Sequence, residues 1–383
     1  MDLTFSADEE AFRAKCRAWL EANVPEPPLP SGDTRAGFAA HLEWERKLFD
    51  ARYSVVSWPQ EYGGRGASLW EWLLFEEEYY RACAPQRVTQ NGIFLLAPTL
   101  FELGTPDQQA RYLRKMASGE QTWCQGWSEP NAGSDLAGIE SRAVRDEAAG
   151  GWRISGQKTW TTRGAFCTHL FGLFRSDPAA ERHRGLTYLL VDLATPGVTV
   201  RGVERLDGDE GFAEVFFDDA FVADADVLGE PHRGWEVAMA TTGSERGLTL
   251  RSPGRFLATA QRLVDLARAQ GDAVDGALRD RVVAAYVDAE AYRWQTFWTV
   301  SRLVEGARTG PESSMVKVFW SELDVRLHEL ALDLLGPHAE LVDGDDAAWM
   351  KGYEFALAGP IYAGTNEIQR NVVAERVLGL PRK

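Results

Sequence analysis

"TWCQGWSEPNAGSDLAG", residues 122–138, is where the chain changes its period. Upstream, apolar residues recur at helical spacing. Downstream come "GGWRISG", "HLFGLFR", "GLTYLLVDL", "GVTVRGV" and "AEVFFDD", short segments rich in β-branched and aromatic residues and bounded by Gly, Asp and Pro, which read as strands. The quoted stretch runs from apolar residues into a polar turn, Ser128 to Asp135, shaped by Pro130 and Gly133. A turn with exposed N–H groups and hydroxyls suits a phosphate or a heterocycle edge, and Trp127 suits stacking on a flat ring. Taken alone, the favoured reading is a strand leaving into a loop, with Trp127 in the core.

Toward the N-terminus, "SADEEAFRAKCRAWLEANV" has a Ser cap, an acidic first turn, and Phe12, Cys16, Trp19 and Leu20 at helical spacing. Pro25, Pro27, Pro28 and Pro30 end it. Further helices are expected in "AGFAAHLEWERKLFDARY", in "SLWEWLLFEEEYYRAC", around 92–103 and over 105–117, the last opened by Thr105 as cap and Pro106 at the first helical position. Toward the C-terminus the helical period returns over about 233–269, 275–307, 311–335, 346–357 and 366–377, with breaks at Gly310-Pro311 and Gly336-Pro337. The expected fold class is therefore α+β: an N-terminal helical domain (1–121), a middle β-barrel or sandwich domain (122–231) and a C-terminal helical bundle (232–383).

The 383 residues are 45% hydrophobic and include fourteen Trp, enough for large cores and for aromatic walls around a flat ligand. A net charge of −16 argues against nucleic-acid binding, which needs clustered Lys and Arg. No signal peptide is legible in "MDLTFSADEEAFR", and no apolar run approaches the ~18 residues of a membrane span. Cys16, Cys83, Cys124 and Cys167 show no paired spacing and read as reduced core thiols of a cytoplasmic protein; the six His form no metal-ligand pattern, so no metal is expected.

Three more stretches carry candidate chemistry. "GQKTWTTRG", residues 156–164, reads as a β-turn into a strand holding Trp160, Thr161 and Thr162. In "TTGSERGLTL", residues 241–250, Glu245 shares a helix face with Trp235, Ala238, Thr241, Thr242, Leu248 and Thr249. A carboxylate in that company is a buried ion-pair member or an acid/base with a raised pKa; the commoner fate of a lone helix Glu is solvent. In "GPIYAGTNEIQRNVVAERVLGLP", residues 359–381, a turn at Ala363 to Glu367 separates two helical stretches, and Gly364 frees the backbone for a tight bend.

Together "WSEPNAGSD", "QKTWTT" and "IYAGTNEIQRNVVAERVLGLP" resemble the flavin loop, the flavin-covering strand and the C-terminal signature of the acyl-CoA dehydrogenase family, and "WPQEYGGRG" and "LGTPDQQARYL" fit it too. The resemblance spans nearly the whole chain. It implies a three-domain fold with a C-terminal four-helix bundle, FAD as cofactor, and α,β-dehydrogenation of an acyl-CoA to a trans-2-enoyl-CoA. A carboxylate takes the α-proton and flavin N5 accepts the hydride. In many members the residue after the signature Tyr is the catalytic Glu; here it is Ala363. Another branch places the base on the first long C-terminal helix, directly before an Arg, where this chain has Glu245-Arg246. The resemblance therefore implies Glu245 as base and the Ala363 backbone N–H as a thioester-oxygen donor.

It further implies flavin contacts from Gln125, Trp127, Ser128, Trp160, Thr161, Thr162, Thr365 and Glu367, and substrate contacts from Ser134, Arg246, Tyr362 and Gly364. Two features depart from the common pattern. The Arg-x-x-Phe-Gly segment that grips a neighbouring subunit's FAD is missing from "ARAQGDAVDGALRDRVVAAY", and Asp333 stands where a Gln is usual. Such sequences resemble an actinobacterial-type branch acting on unusual acyl-CoAs, steroid-derived ones included, some of whose members are mixed-subunit tetramers. The implied assembly is a homotetramer or dimer, or a complex with a related partner, passing electrons to an electron-transfer flavoprotein. A non-catalytic half-site subunit and a flavin oxidase or monooxygenase are the alternatives. "YRWQTFWTVSR" reads as core packing before it reads as an acyl pocket.

Overall fold

The computed structural model describes residues 4–245, 252–307, 310–344 and 346–381. In chain order the longer elements are α1 (Ala7–Asn23), α2 (Arg35–Asp50), α3 (Leu69–Arg81), α4 (Ala97–Leu103), α5 (Pro106–Ala117), β1 (Trp123–Gly126), β2 (Arg142–Asp146), β3 (Gly151–Lys158), β4 (His169–Arg175), β5 (Leu186–Asp192), β6 (Val198–Val203), β7 (Phe212–Ala223), β8 (Val227–Leu228), α6 (Gly234–Glu245), α7 (Pro253–Gln270), α8 (Gly276–Val304), α9 (Ser313–Leu335), α10 (Ala347–Ala356) and α11 (Asn366–Val372). The order helical, β, helical is the one expected. The chain forms two compact units: Met1–Val24 with Ser68–Ala84 and Arg246–Lys383, and Pro25–Ala67 with Pro85–Glu245.

The first unit joins α1 and α3 to the C-terminal helices. Both short helices begin with a capping box, Ser6 with Glu9 and Ser68 with Glu71, which satisfies two orphan donors at each start. Arg17 grips Glu78 through two bonds of 2.9 and 2.7 Å, and Arg293 of α8 reaches Glu77 at 2.6 Å. The bundle core is built from Phe256, Tyr292, Trp320, Leu323, Leu327 and Trp349 among others, and Tyr362 packs against it. The expected core role of 292–302 holds for one face only: Tyr292, Phe297 and Val300 are buried, while Trp294 and Trp298 are exposed.

The second unit is built on one eight-stranded sheet in the order β6-β7-β3-β2-β4-β5-β8, with β1 added beside β4 in parallel. Strands β1, β2 and β8 complete the five legible in the sequence. The two-residue β8 is too short to show a period, and β2 is mostly polar, "RAVRD". One sheet face packs Trp152, Ile154, Leu170, Phe174, Leu189 and Val215 into a core. On β5, six of seven residues are buried, so both faces are covered. Gly126 is needed where β1 meets β4, because a Cβ there would lie 2.6 Å from the Leu170 side chain.

Three local expectations are corrected. Residues 160–162 are not in a strand: β3 stops at Lys158, and Trp160 and Arg163 both take the left-handed backbone, with φ of 56° and 55°. The single helix expected over 233–269 is two, since Ser252 caps a new helix by accepting from the Gly254 amide at 3.2 Å and Pro253 takes its first position. Cys83 is exposed rather than a core thiol, with Cys16 and Cys124 buried as expected.

Candidate functional site

In the second unit, the loop after β1 is anchored by a buried ion pair. Lys158, at the end of β3, is 0% exposed, and its Nζ lies 2.7 Å from Glu129 Oε1 and 3.3 Å from the Trp127 carbonyl. The Glu129 carboxylate also accepts from the Glu140 and Ser141 amides at 2.6 and 3.0 Å, closing the far end of the loop. Burial pushes the Lys158 ammonium down to about 8, against the attraction of Glu129. Burial alone would raise the Glu129 carboxyl, but Lys158 and the donors on Glu140 and Ser141 hold it below the usual range. Neither residue belongs to the sequence-derived site. The signal available was one loop acid and one base at a strand end 29 residues apart, and nothing in the one-dimensional pattern pairs them.

The segment after β3 is fixed in its unusual path by backbone bonds. The Thr159 amide donates to the Ser128 carbonyl at 2.9 Å, Thr161 to Ala213 at 3.0 Å and Arg163 to Gly211 at 3.0 Å. Beneath it, Arg163 Nε meets Asp33 Oδ1 at 2.6 Å, and Asp33 Oδ2 meets Arg205 Nη1 at 2.7 Å. Burial would raise the Asp33 carboxyl, yet the two guanidinium groups hold it below its ordinary value. A bulky residue in the left-handed region stores strain of roughly 1–3 kcal/mol and persists where its surroundings force it. Here that residue is Trp160, 62% exposed, its ring edge-on to Phe212 at 5.8 Å.

Two buried polar atoms in these loops have no partner among the described residues: Trp127 Nε1 and Thr161 Oγ1, on side chains 8% and 0% exposed. Buried donors are almost always satisfied. A planar heterocycle with acceptors along one edge fits two such donors beside an outward-facing indole. The residues present therefore fit a flavin ring. Gln125, on β1, Ser128 and Thr162 are partly exposed, and Ser134 is exposed on the same loop that Glu129 closes. The structure thus gathers Trp127, Ser128 and Thr159–Arg163 around one pair of loops. The described part of helix α6 runs to Glu245; the Glu245 side chain and all of Arg246 lie outside the described residues.

In the first unit, Tyr362 to Thr365 form the turn before α11, and Asn366 and Glu367 open the helix. Ala363 and Gly364 both take positive φ, 57° and 77°. This is ordinary for Gly and costly for Ala. Fully buried Gln369 holds them, its Nε2 donating to the Ala363 carbonyl at 2.8 Å and the Gly364 carbonyl at 3.3 Å. Thr365 caps α11, its Oγ1 accepting from the Ile368 amide at 3.2 Å. Asn366, buried, accepts from Lys317 Nζ at 2.8 Å and from Ser321 Oγ at 3.1 Å. Tyr362 stacks on Trp320, ring centroids 6.1 Å apart. Glu367 is exposed and its carboxyl is held low, first by its own backbone and then by Thr365. Among the described residues, the Ala363 amide donates to no acceptor. The buried Lys317 that holds this turn was missed by sequence reasoning, because a Lys on an amphipathic helix ordinarily faces water.

Elsewhere, no group of three or more potential metal ligands occurs among the described residues. No helix among them is long and apolar enough to cross a membrane. Asp333 is in a half-exposed ion pair with Arg281 at 2.9 Å.

Sequence profiles of the N-terminal, middle and C-terminal domains of acyl-CoA dehydrogenases match residues 6–120, 124–220 and 232–378. The chain belongs to the acyl-CoA dehydrogenase family, and with it to the FAD-dependent oxidoreductases. It is 40% identical over 390 residues to acyl-CoA dehydrogenase IpdE1 of Mycolicibacterium smegmatis, covering 98% of each chain. It is also 40% identical to acyl-CoA dehydrogenase IpdE1 of Mycobacterium tuberculosis, over 98% of this chain and 99% of the other. Among solved structures, the Tcur3481-Tcur3483 steroid ACAD superposes with a TM-score of 0.89 at 25% identity over all of both chains. The ChsE4-ChsE5 complex from Mycobacterium tuberculosis gives 0.84, also at 25% identity and full coverage.

Proposed function

We propose that this protein dehydrogenates an acyl-CoA at Cα–Cβ, with Glu245 removing the α-proton and the Ala363 amide donating to the thioester oxygen. The observation that carries this reading is the turn at Tyr362–Gly364. It has no acid, its backbone is held in a left-handed path by Gln369, and the Ala363 amide is left uncommitted among the described residues. A thioester α-proton is a very weak acid, so catalysis needs a fixed donor where the enolate oxygen develops and a base kept out of water. An amide supplies the first without any side chain. The second is assigned to the carboxylate at the end of α6, since position 363 has none.

Bound FAD supplies the hydride acceptor at N5 of its isoalloxazine. The chain's own part is to hold that ring. Trp127 Nε1, Ser128 and the Thr161 and Thr162 hydroxyls are assigned to its polar edge with Gln125, Trp160 is assigned to its face, and Thr365 and Glu367 to the cofactor's sugar and phosphate side. Ser134 is assigned to the pantetheine arm of CoA, and Tyr362, Gly364 and Arg246 to the acyl and thioester region. The Ala363 methyl leaves room for a bulky acyl group, and the steroid ACAD among the structural neighbours supports a polycyclic one.

Two neighbours in structure are two-component complexes, Tcur3481-Tcur3483 and ChsE4-ChsE5. Together with the Asp333–Arg281 pairing and the exposed Val283, Val287, Trp294 and Trp298 of α8, they support assembly with a related subunit as an alternative to a homotetramer. We assign the enzyme to the cytoplasm, with an electron-transfer flavoprotein as acceptor.

The test is anaerobic mixing of the purified yellow protein with straight-chain, branched and steroid-derived acyl-CoAs while flavin absorbance is followed. Glu245→Gln is expected to keep its flavin and to reduce it roughly 10²–10⁴-fold more slowly. Bleaching at the wild-type rate would remove the assignment.

A further inference from the structure

Helix α6 is tied to the sheet by a buried set of hydroxyls that the proposed chemistry does not use. Thr241 is fully buried, one turn before Glu245. Its Oγ1 donates to the Val237 carbonyl at 3.0 Å. It lies 2.9 Å from Thr99 Oγ1 of α4 and 3.2 Å from the Tyr188 hydroxyl of β5. A hydroxyl offers one donor and two acceptor sites. With its hydrogen directed at Val237, Thr241 keeps two acceptor sites that face the Thr99 and Tyr188 hydroxyls, and Thr99 Oγ1 also lies 3.3 Å from the Leu95 carbonyl, so the hydroxyls and carbonyls form one connected buried set.

The partners are themselves placed. The Tyr188 ring lies parallel to Phe171 of β4, centroids 6.1 Å apart and planes within 6°, and meets the Trp127 indole edge-on at 6.5 Å. Thr99 follows a π-helical turn, Asn91–Leu96, a local distortion that is frequent at functional sites. At the other end of α6, a Cβ on Gly234 would lie 2.6 Å from the Tyr188 amide nitrogen, and Arg233 bridges to Leu186. The helix is therefore fixed to β5 at its first turn by backbone contact and at its third by the hydroxyl hub. A threonine back-bonded to its own helix needs no external partner, so local helix stability leaves the other two bonds unexplained.

We infer that Thr241 and Tyr188 are positioning residues for the end of α6: they set the rotation and height of its last turn and couple it to the Trp127 loop. The inference rests on Glu245 being the base. A misplacement of about 1 Å can cost roughly 10²-fold in rate.

The experiment compares Thr241→Val, Thr241→Ser and Tyr188→Phe in the flavin-loaded protein. The acyl-CoA is the one that bleaches the wild type fastest. Single-turnover traces over a range of its concentration separate substrate binding from the limiting rate of flavin reduction. Thr241→Val, which keeps the shape and loses the hydroxyl, is expected to slow limiting reduction roughly 10–100-fold, with the substrate half-saturation changed less than about threefold and the visible flavin spectrum unchanged. Serine at 241 restores the rate, and Tyr188→Phe gives a smaller loss in the same direction. Equal rates in Thr241→Val and wild type, with Glu245→Gln inactive, overturn the inference and leave the base assignment standing. A fully active Glu245→Gln overturns the base assignment and the inference with it. If Thr241→Val does not fold, Tyr188→Phe decides: a wild-type limiting rate there overturns the coupling.

Discussion

Glu129→Gln should be among the most damaging single substitutions in the sheet unit, although Glu129 lies in a loop. The change is nearly isosteric. What it removes is the negative charge facing Lys158 Nζ at 2.7 Å, on a lysine with no solvent exposure. It also leaves a single side-chain carbonyl oxygen at position 129 for three donors that now share a carboxylate: Lys158 Nζ and the Glu140 and Ser141 amides. Breaking one side of a buried pair costs about 3–5 kcal/mol, because the remaining charge is left without compensation. An amide left without its acceptor adds about 1–3 kcal/mol. Lys158 relieves part of this by losing its proton, and burial has already brought it down to about 8 with the pair intact. We therefore expect a loss of about 3–5 kcal/mol, or roughly 6–20 °C in Tm for a unit of this size. Differential scanning calorimetry at pH 7 reads the shift. Raising the pH to about 9 should recover part of the loss in Glu129→Gln, since deprotonating Lys158 removes the uncompensated charge. A fall in Tm of less than about 2 °C, or one that grows with rising pH, would refute the reasoning.

Three further outcomes follow from the same geometry. Thr161→Val removes a buried hydroxyl with no described partner, so the apo protein should keep its stability within about 0.5 kcal/mol, while FAD affinity, read by fluorescence titration, falls by about tenfold for one lost hydrogen bond; unchanged affinity would remove Thr161 from the flavin site. Trp160→Ala should behave alike, because an indole that is 62% exposed contributes little to the fold and an aromatic face lost from a bound ring costs about 0.5–1.5 kcal/mol. Asp33 is held below its ordinary pKa by Arg163 and Arg205, so its contribution to stability is complete above the unfolded carboxylate value of about 3.9 and is lost as pH falls through the folded one. Asp33→Asn should flatten the fall in Tm as pH drops below about 4, and an unaltered slope would show that other carboxylates carry it.

How much of this was legible follows from which interactions are local. The caps at Ser6 and Thr105 are read within four residues and stand as expected. The five strands seen in the sequence are at least six residues long and rich in β-branched or aromatic residues, whereas β8 has only two residues. "QKTWTT" misled because β propensity belongs to side chains fitting a half-buried surface. At 159–163, long-range bonds from Ser128, Ala213 and Gly211 impose a path that threonine and tryptophan would not choose. The motif residues were found by resemblance, and the residues that hold them were not: Lys158, Gln369, Lys317 and Thr241 act through partners 29, 6, 49 and 142 positions away.

That division also explains why Ala is tolerable at 363. A turn whose proposed role is to present its amide must hold the peptide plane, not the side chain. Here the holding is done from outside: Gln369 bonds the carbonyls of 363 and 364, and Asn366 is clamped by Lys317 and Ser321. With the backbone over-determined in this way, the strain of a left-handed Ala, about 1–2 kcal/mol, is met by the clamp. The side chain at 363 is then free to change without loss of the donor. On the proposed assignment of the base to Glu245, the turn needs no acid at 363, and, on the inference above, the positioning of the α6 carboxylate falls to Thr241, held by Thr99 and Tyr188.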